Sequence, residues 1–301
     1  MEQMRNDWNL LKDKLEIDII KKYASYMNIL TISIIVFCYI SIFLYIIFQR
    51  LPFILDFILP VNGSRPYQLL MITEYFVDHD KYIQFILLHE LLVGYIGLTA
   101  VGSTGTTFII FMSHVCALLE ITSYRIENAF ERNILAMPNP KKQYLLHRRI
   151  AHAVVMHQRA AEFNEFLNSA FLVLFSLLIA VGVSSVTLNL FLFCRLILLN
   201  DIGRASIIGL LTFAYFIYMF IGNYWGQAVI NNGIDLFKVT YNGSWYAAPL
   251  SNQKLLLFIM QRGREHLSIS CFSVFVASLD GFATLSSTVI SYFMVMYSTR
   301  Q

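Results

Sequence analysis

Gly281-Phe-Ala-Thr-Leu-Ser-Ser-Thr-Val-Ile-Ser-Tyr-Phe-Met-Val-Met-Tyr-Ser-Thr299 contains no Asp, Glu, Lys or Arg. On a helix turning about 100° per residue, Thr284, Ser287, Thr288, Ser291, Val295, Ser298 and Thr299 fall in one stripe of roughly a third of the circumference. Phe282, Leu285, Val289, Phe293 and Met296 fall on the other side. A hydroxyl-rich face on a membrane-length helix needs something other than lipid beside it: a neighbouring helix or a water-filled pore. Packing between helices is the default, because Ser and Thr also return their hydroxyls to a carbonyl four residues back.

Working outward from this segment, four more stretches lack acidic and basic residues: Tyr23–Gln49, Leu91–Leu119, Phe166–Cys194 and Ala205–Ile234. Each reaches the roughly 20 residues that cross about 30 Å of hydrocarbon as a helix. Gly281–Thr299 itself falls just short and borrows length from the apolar run Leu267–Leu279. Helix cores are expected near 27–48, 88–112, 167–193, 206–228 and 272–297. Hydrophobic residues make up 57% of the 301 and charged residues 14%, and the mean hydropathy is +0.60. Such a chain is a polytopic membrane protein rather than a soluble domain. Alternating ten-residue barrel strands are absent, so the fold class is all-α, a membrane helix bundle of five spans.

Orientation follows from the basic residues. Five precede the first span (Arg5, Lys12, Lys14, Lys21, Lys22). Seven lie in the loop 113–165 (Arg125, Arg132, Lys141, Lys142, Arg148, Arg149, Arg159) and four in 229–271 (Lys238, Lys254, Arg262, Arg264). These are sixteen of the 22, against six on the other side. The positive-inside rule makes the N terminus cytoplasmic and, after five crossings, the C terminus external. The segment Met1–Lys22 reads as amphipathic, with Trp8, Leu11, Leu15 and Ile19 at helical spacing. The sequon at Asn62 then faces outward as a glycosylation candidate, while the one at Asn242 faces the cytoplasm and stays bare. The net charge of +3 is too small and dispersed for nucleic acid. Four scattered cysteines (Cys38, Cys116, Cys194, Cys271) read as free thiols.

Catalytic and metal signatures are missing. His89 with Glu90 and His114 with Cys116 flank the second span a membrane thickness apart, so no metal is shared. His147, His152 and His157 turn away from one another on a helix and read as solvated. So do Glu120, Glu127, Glu131, Glu162 and Glu165. No GxSxG, Walker or HExxH motif occurs, so no enzyme activity and no cofactor is expected. Asp280, between apolar stretches, is either an intramembrane acid with a function or the polar start of the last helix. Phe37, Tyr39, Tyr95, Tyr215 and Tyr218, with Gly94 and Gly97 among them, fit either aromatic packing between helices or a site for a small apolar guest.

The run Ser278-Leu-Asp-Gly-Phe-Ala-Thr through Ser291-Tyr-Phe-Met-Val-Met-Tyr297 closely resembles the last transmembrane segment of insect odorant receptors and their shared co-receptor. Other stretches follow in that family's order: Asn6-Asp-Trp-Asn-Leu-Leu-Lys12, Ile20-Lys-Lys-Tyr-Ala24, Tyr75-Phe-Val-Asp-His-Asp-Lys-Tyr82, Gly226-Gln-Ala-Val-Ile230, Trp245-Tyr246 and Lys254-Leu-Leu-Leu-Phe-Ile-Met-Gln-Arg262. The family has seven spans and a cytoplasmic N terminus. The chain therefore resembles spans three to seven, preceded by the loop before span three, and an incomplete sequence is expected to give little current as it stands.

The resemblance implies an odorant receptor subunit that binds a small apolar volatile and gates a non-selective cation channel. Its partners would be the co-receptor, in a heterotetramer, and membrane lipid. Its place would be the plasma membrane of an olfactory sensory neuron dendrite. It implies three regions: an odorant-binding helix region 1–228, a cytoplasmic anchor segment 229–271 and a pore-lining helix 272–301. Val295 and Thr299 match the family's pore constriction and Ser298 a filter-lining position. With Ser291 from the same stripe, they form the expected pore lining. Thr299 stands where the co-receptor has leucine. A gustatory-type chemoreceptor channel is the related alternative. A small-solute transporter is the alternative from another class, and it would need a midplane ionisable site.

Overall fold

The computed structural model describes residues 2–58, 75–130, 134, 137–264, 267–271 and 275–299. Asn62 lies outside them. The helices are α1 (Glu2–Leu10), α2 (Lys14–Ile58), α3 (His79–Ala129), α4 (Asn139–Leu198), α5 (Ile202–Asn242), α6 (Leu250–Arg264) and α7 (Leu279–Ser298). A 3₁₀ turn, Trp245–Ala247, precedes α6, and strands β1 (Ser270–Cys271) and β2 (Phe275–Val276) precede α7. Among the described residues five helices, α2 to α5 and α7, are long and apolar enough to cross a membrane. The five expected spans are thus all present.

Their lengths differ from the expectation. The 60-residue α4 is about 90 Å long at 1.5 Å per residue, three times the hydrocarbon thickness. What was expected to be a cytoplasmic loop, 113–165, is mostly helix, formed by continuations of α3 and α4. The described residues 267–271 and 275–278 of the apolar run are not helix either. They form a short antiparallel ladder, Ser270 opposite Val276 and Cys271 opposite Phe275, and α7 starts only at Leu279. Hydropathy registers apolar residues but not the caps that decide where a helix begins. Here Ser278 takes the extended backbone of an N-cap, and its Oγ accepts from the Gly281 N–H at 3.0 Å.

The chain divides into two compact units. Residues 26–108 form one, built from α2 and α3. Its outward residues Ile29, Ile32, Phe43 and Ile96 are exposed, as lipid-facing residues are. Between its helices Glu90 is buried and accepts from the Tyr45 hydroxyl at 2.9 Å, and the Gln49 amide donates to the Tyr45 oxygen. His89 is 3.0 Å from the Tyr75 hydroxyl and packs edge-on against its ring.

Residues 1–25 with 109–301 form the other unit. Its core holds Met112, Leu118, Leu119 and Ile121 of α3, Leu146, Ile150 and Leu167 of α4, Leu236 of α5, and Leu256 and Ile259 of α6. The expected apolar face is only half used, with Leu11 buried and Ile19 half-buried but Trp8 and Leu15 exposed, and charge attaches α1 as well. Asp7 is 1% exposed and accepts from Arg159 Nη1 at 2.6 Å, with His114 Nε2 at 3.0 Å. Burial by itself would raise the Asp7 carboxyl, but the hydrogen bonds from His114 and Arg159 outweigh it and hold the group below its ordinary value. Glu16 receives a two-pronged contact from Arg125.

His157 contradicts the solvated reading of the three histidines. It is 3% exposed and lies on the buried stripe Ile150, Ala153, Val154, Ala160, Ala161, Asn164 and Leu167 of α4, short of the expected span 167–193. Its Nδ1 has no hydrogen-bond partner. Burial, with the Arg262 charge adding, pushes its pKa below the ordinary 6.5. A base with a lowered folded pKa stabilises the protein fully above the unfolded value, and that stability is lost as pH falls from 6.5 toward the folded value. The thermal midpoint of the purified protein should therefore fall on acidification below neutrality. His157→Leu, with nothing to titrate, should have a flatter profile over the same range. Identical profiles would remove His157 from this role.

Candidate functional site

The site is built on α7 and the two helices that carry it. Leu285 and Val289 of α7 are buried against Val183 and Val186 of α4, with Ile179, Phe216, Met219 and Phe275 closing the cluster. Phe282 packs edge-on against Phe220 of α5, with ring centroids 5.4 Å apart. The apolar side read from the sequence is thus the side that faces the bundle. The hydroxyl stripe faces away from it: Thr284, Ser287, Ser291, Val295, Ser298 and Thr299 are exposed, Val295 by 58%. Exposed apolar residues flank the stripe, Ile290 and Met294 on one side and Tyr292 on the other.

Five of the six hydroxyls of the stripe are internally satisfied. Thr284 donates to the Asp280 carbonyl at 2.9 Å, Thr288 to Thr284 at 2.8 Å and Ser291 to Ser287 at 2.8 Å. Ser298 donates to Val295 at 3.0 Å, and Thr299 to the same carbonyl at 3.1 Å. Ser33, Ser41 and Thr99 on other helices do the same, so back-bonding alone decides nothing. Exposure alone does not distinguish them either, for Ser33 and Thr99 are exposed as well; what sets α7 apart is that Thr284, Ser287, Ser291, Ser298 and Thr299 share one exposed stripe.

Asp280 sits in the first turn of α7 and is exposed. This favours the helix-start reading, a negative charge at the positive end of the dipole. Among the described residues no three of His, Cys, Asp and Glu converge on a metal position. Glu120, read as solvated, accepts from Tyr23 at 2.6 Å and pairs with Lys22 at 3.4 Å. Of the aromatic candidates, Phe37, Tyr39 and Tyr95 belong to the unit 26–108 and are exposed. A Cβ added at Gly94 or Gly97 would meet nothing within 4 Å. Tyr215 and Tyr218 belong to the other unit, Tyr215 exposed and Tyr218 half-buried. A cleft of about 520 Å³ is lined by Gln3, Asn6, Asp7, Asn9, Arg159 and Glu162 with Leu10, charged groups that do not suit an apolar volatile.

Sequence reasoning missed the buried Asp7–His114–Arg159 cluster and the amides around the entry to α7. Spacing signals existed for the second: Asn164 and Asn168 are one turn apart, as are Asn223 and Gln227.

The fold is that of a multi-pass, all-α membrane protein. Residues 3–290 match the family model described as 7tm odorant receptor, and the chain belongs to that family. Over 164 residues it is 23% identical to the odorant receptor co-receptor of the ant Harpegnathos saltator, covering 53% of this chain and 33% of that protein. Over 105 residues it is 24% identical to the co-receptor of the mosquito Aedes aegypti, covering 34% of this chain and 22% of that one. The insect olfactory receptor OR5 from Machilis hrabei, solved in complex with eugenol, shares the fold: TM-score 0.67 at 15% identity, over 94% of this chain and 69% of that one.

Proposed function

We propose that this chain is an odorant-recognising subunit of an odorant-gated, non-selective cation channel. It would work in a heterotetramer with the co-receptor in the plasma membrane of an olfactory neuron dendrite. The observation that carries this reading is the two-sidedness of α7: Leu285 and Val289 are locked to α4 and α5 while Ser291, Val295, Ser298 and Thr299 point away from the bundle. Such a stripe is what a hydrated cation path requires. Its apolar flanks, Ile290, Met294 and Tyr292, suit contact with adjacent subunits around a closed ring. Family membership and the likeness to co-receptors support the partner, and the eugenol complex of the structural relative supports a small apolar ligand. Residues 1–228 would form the ligand-binding helices, with Phe37, Tyr39, Tyr95, Tyr215 and Tyr218 as odorant contacts. Residues 229–271 would anchor the assembly and 272–301 line the pore. Ligand binding opens such a channel only by favouring the open state over the closed one.

The receptor carrying this sequence, co-expressed with the co-receptor, should give a cation current in response to apolar volatiles, with eugenol as the first probe. No labelled ligand should accumulate in the cells. Concentrative uptake without current would instead indicate a transporter.

A further inference from the structure

Between α6 and α7 the backbone leaves helical geometry among packed helices, so its N–H and C=O groups must be met by other partners. The short ladder meets a few, and Ala277 N donates to the Ile269 carbonyl at 2.9 Å. Side-chain amides meet others. Asn168 Nδ2 donates to the Ser268 carbonyl at 3.0 Å and its Oδ1 accepts from the Ser270 N–H at 3.1 Å. Asn164 Nδ2 donates to the same Ser268 carbonyl at 3.2 Å. Asn223 Oδ1 accepts from the Ser278 N–H at 3.2 Å, and Gln227 Oε1 from the Leu279 N–H at 3.3 Å. Asn164 and Asn168 are one turn apart on α4, Asn223 and Gln227 one turn apart on α5. Asn164 and Asn223 are buried.

We propose that Asn168 and Asn223, backed by Asn164 and Gln227, are positioning residues for α7. They hold the entry to that helix by its backbone, so a displacement of α4 or α5 moves the hydroxyl stripe in fixed register. Apolar contacts such as Val289 against Val186 tolerate sliding, whereas directional hydrogen bonds to single backbone groups do not. The inference rests on the pore reading of α7 for its consequence, though not for its geometry.

The chemistry gives a discriminating test. Asn223 serves Ser278 only as an acceptor, while its Nδ2 donates to the Met219 carbonyl of its own helix at 2.9 Å; a carboxylate there gives up that intrahelical bond but keeps the acceptor for Ser278 at the N-terminal end of α7, where the dipole favours it. Asn168 both donates and accepts, so a carboxylate there loses the donor and sets an oxygen against the Ser268 carbonyl. In the full chain with the co-receptor, hydrogen exchange across residues 267–282 should be about tenfold faster near Ser278 in Asn223→Leu and near wild type in Asn223→Asp. Near Ser270 it should be faster in both Asn168→Leu and Asn168→Asp. Maximal current evoked by eugenol and other apolar volatiles should fall about fivefold in Asn223→Leu, with the half-maximal concentration unchanged and Asn223→Asp restoring the response. Should the leucine variants fail to co-purify with the co-receptor, the contrast between the two aspartate variants carries the test. Equal exchange in all variants would overturn the clamp. Faster exchange with an unchanged maximal current would overturn its role in gating. Silence of a complete receptor carrying this sequence would reject the channel reading and leave the exchange pattern to decide the clamp.

Discussion

Gly226→Ala is expected to lower the thermal midpoint by several degrees, while Gly222→Ala, one turn earlier on the same helix, is expected to be silent or mildly stabilising. A Cβ on Gly226 would collide with the carbonyl oxygen, carbonyl carbon and Cβ of Ala277. Two of those atoms are backbone, and the segment they belong to is tied down by Asn223 at Ser278 and by the β1–β2 ladder. Relief therefore means moving α5 off the entry to α7 rather than turning a side chain. Overpacking of this kind costs about 3 kcal/mol, a fall of roughly 5–10 °C in thermal midpoint for a chain of this size. A Cβ on Gly222 meets nothing within 4 Å, and alanine in a helix is favoured over glycine by about 1 kcal/mol. Thermal unfolding of the two variants in detergent measures the difference. Equal midpoints would mean that α5 and the α7 entry are not in close contact.

What could be read from the sequence, and what could not, follows from which interaction wins at each place. The five spans were legible because charge-free runs of this length have few alternatives in a membrane. The two faces of α7 were legible for the same reason: with no charges to interfere, periodicity alone sorts Leu285 and Val289 from Ser291 and Ser298. Beyond the hydrocarbon the signal weakens. Arg125 and Arg159 counted only as basic residues of a cytoplasmic loop, but they partner Glu16 and Asp7 across α1, α2, α3 and α4, and charge counts carry no record of pairing. His157 was misplaced because its charged neighbours in sequence dominated the reading. Its spacing from Ile150, Ala153, Ala160 and Asn164 marks the buried stripe. The start of α7 was set too early because apolar residues after Leu267 prolong the hydropathy signal, while backbone capture by Asn168, Asn223 and Ser278 ends the helix. The odorant candidates gain little from geometry: Phe37, Tyr39 and Tyr95 sit in one unit, Tyr215 and Tyr218 in the other, and aromatic residues in membrane helices serve packing as readily as ligands.

The central claim is that the outward stripe of α7 borders the ion path, and cysteine substitution tests it most directly. In the receptor carrying this sequence, expressed with the co-receptor, Ser298→Cys and Val295→Cys should each place a thiol in water beside the permeating ions. A charged, water-soluble thiol reagent should then abolish most of the odorant-evoked current. Phe293→Cys, on the opposite side of the helix and half-buried, should leave the current intact. The unsubstituted receptor should be insensitive as well, since Cys116 and Cys271 are buried and Cys38 and Cys194 half-buried. Block at 295 and 298 with none at 293 is the predicted result; equal sensitivity, or none, at all three positions would contradict a pore-lining role for α7.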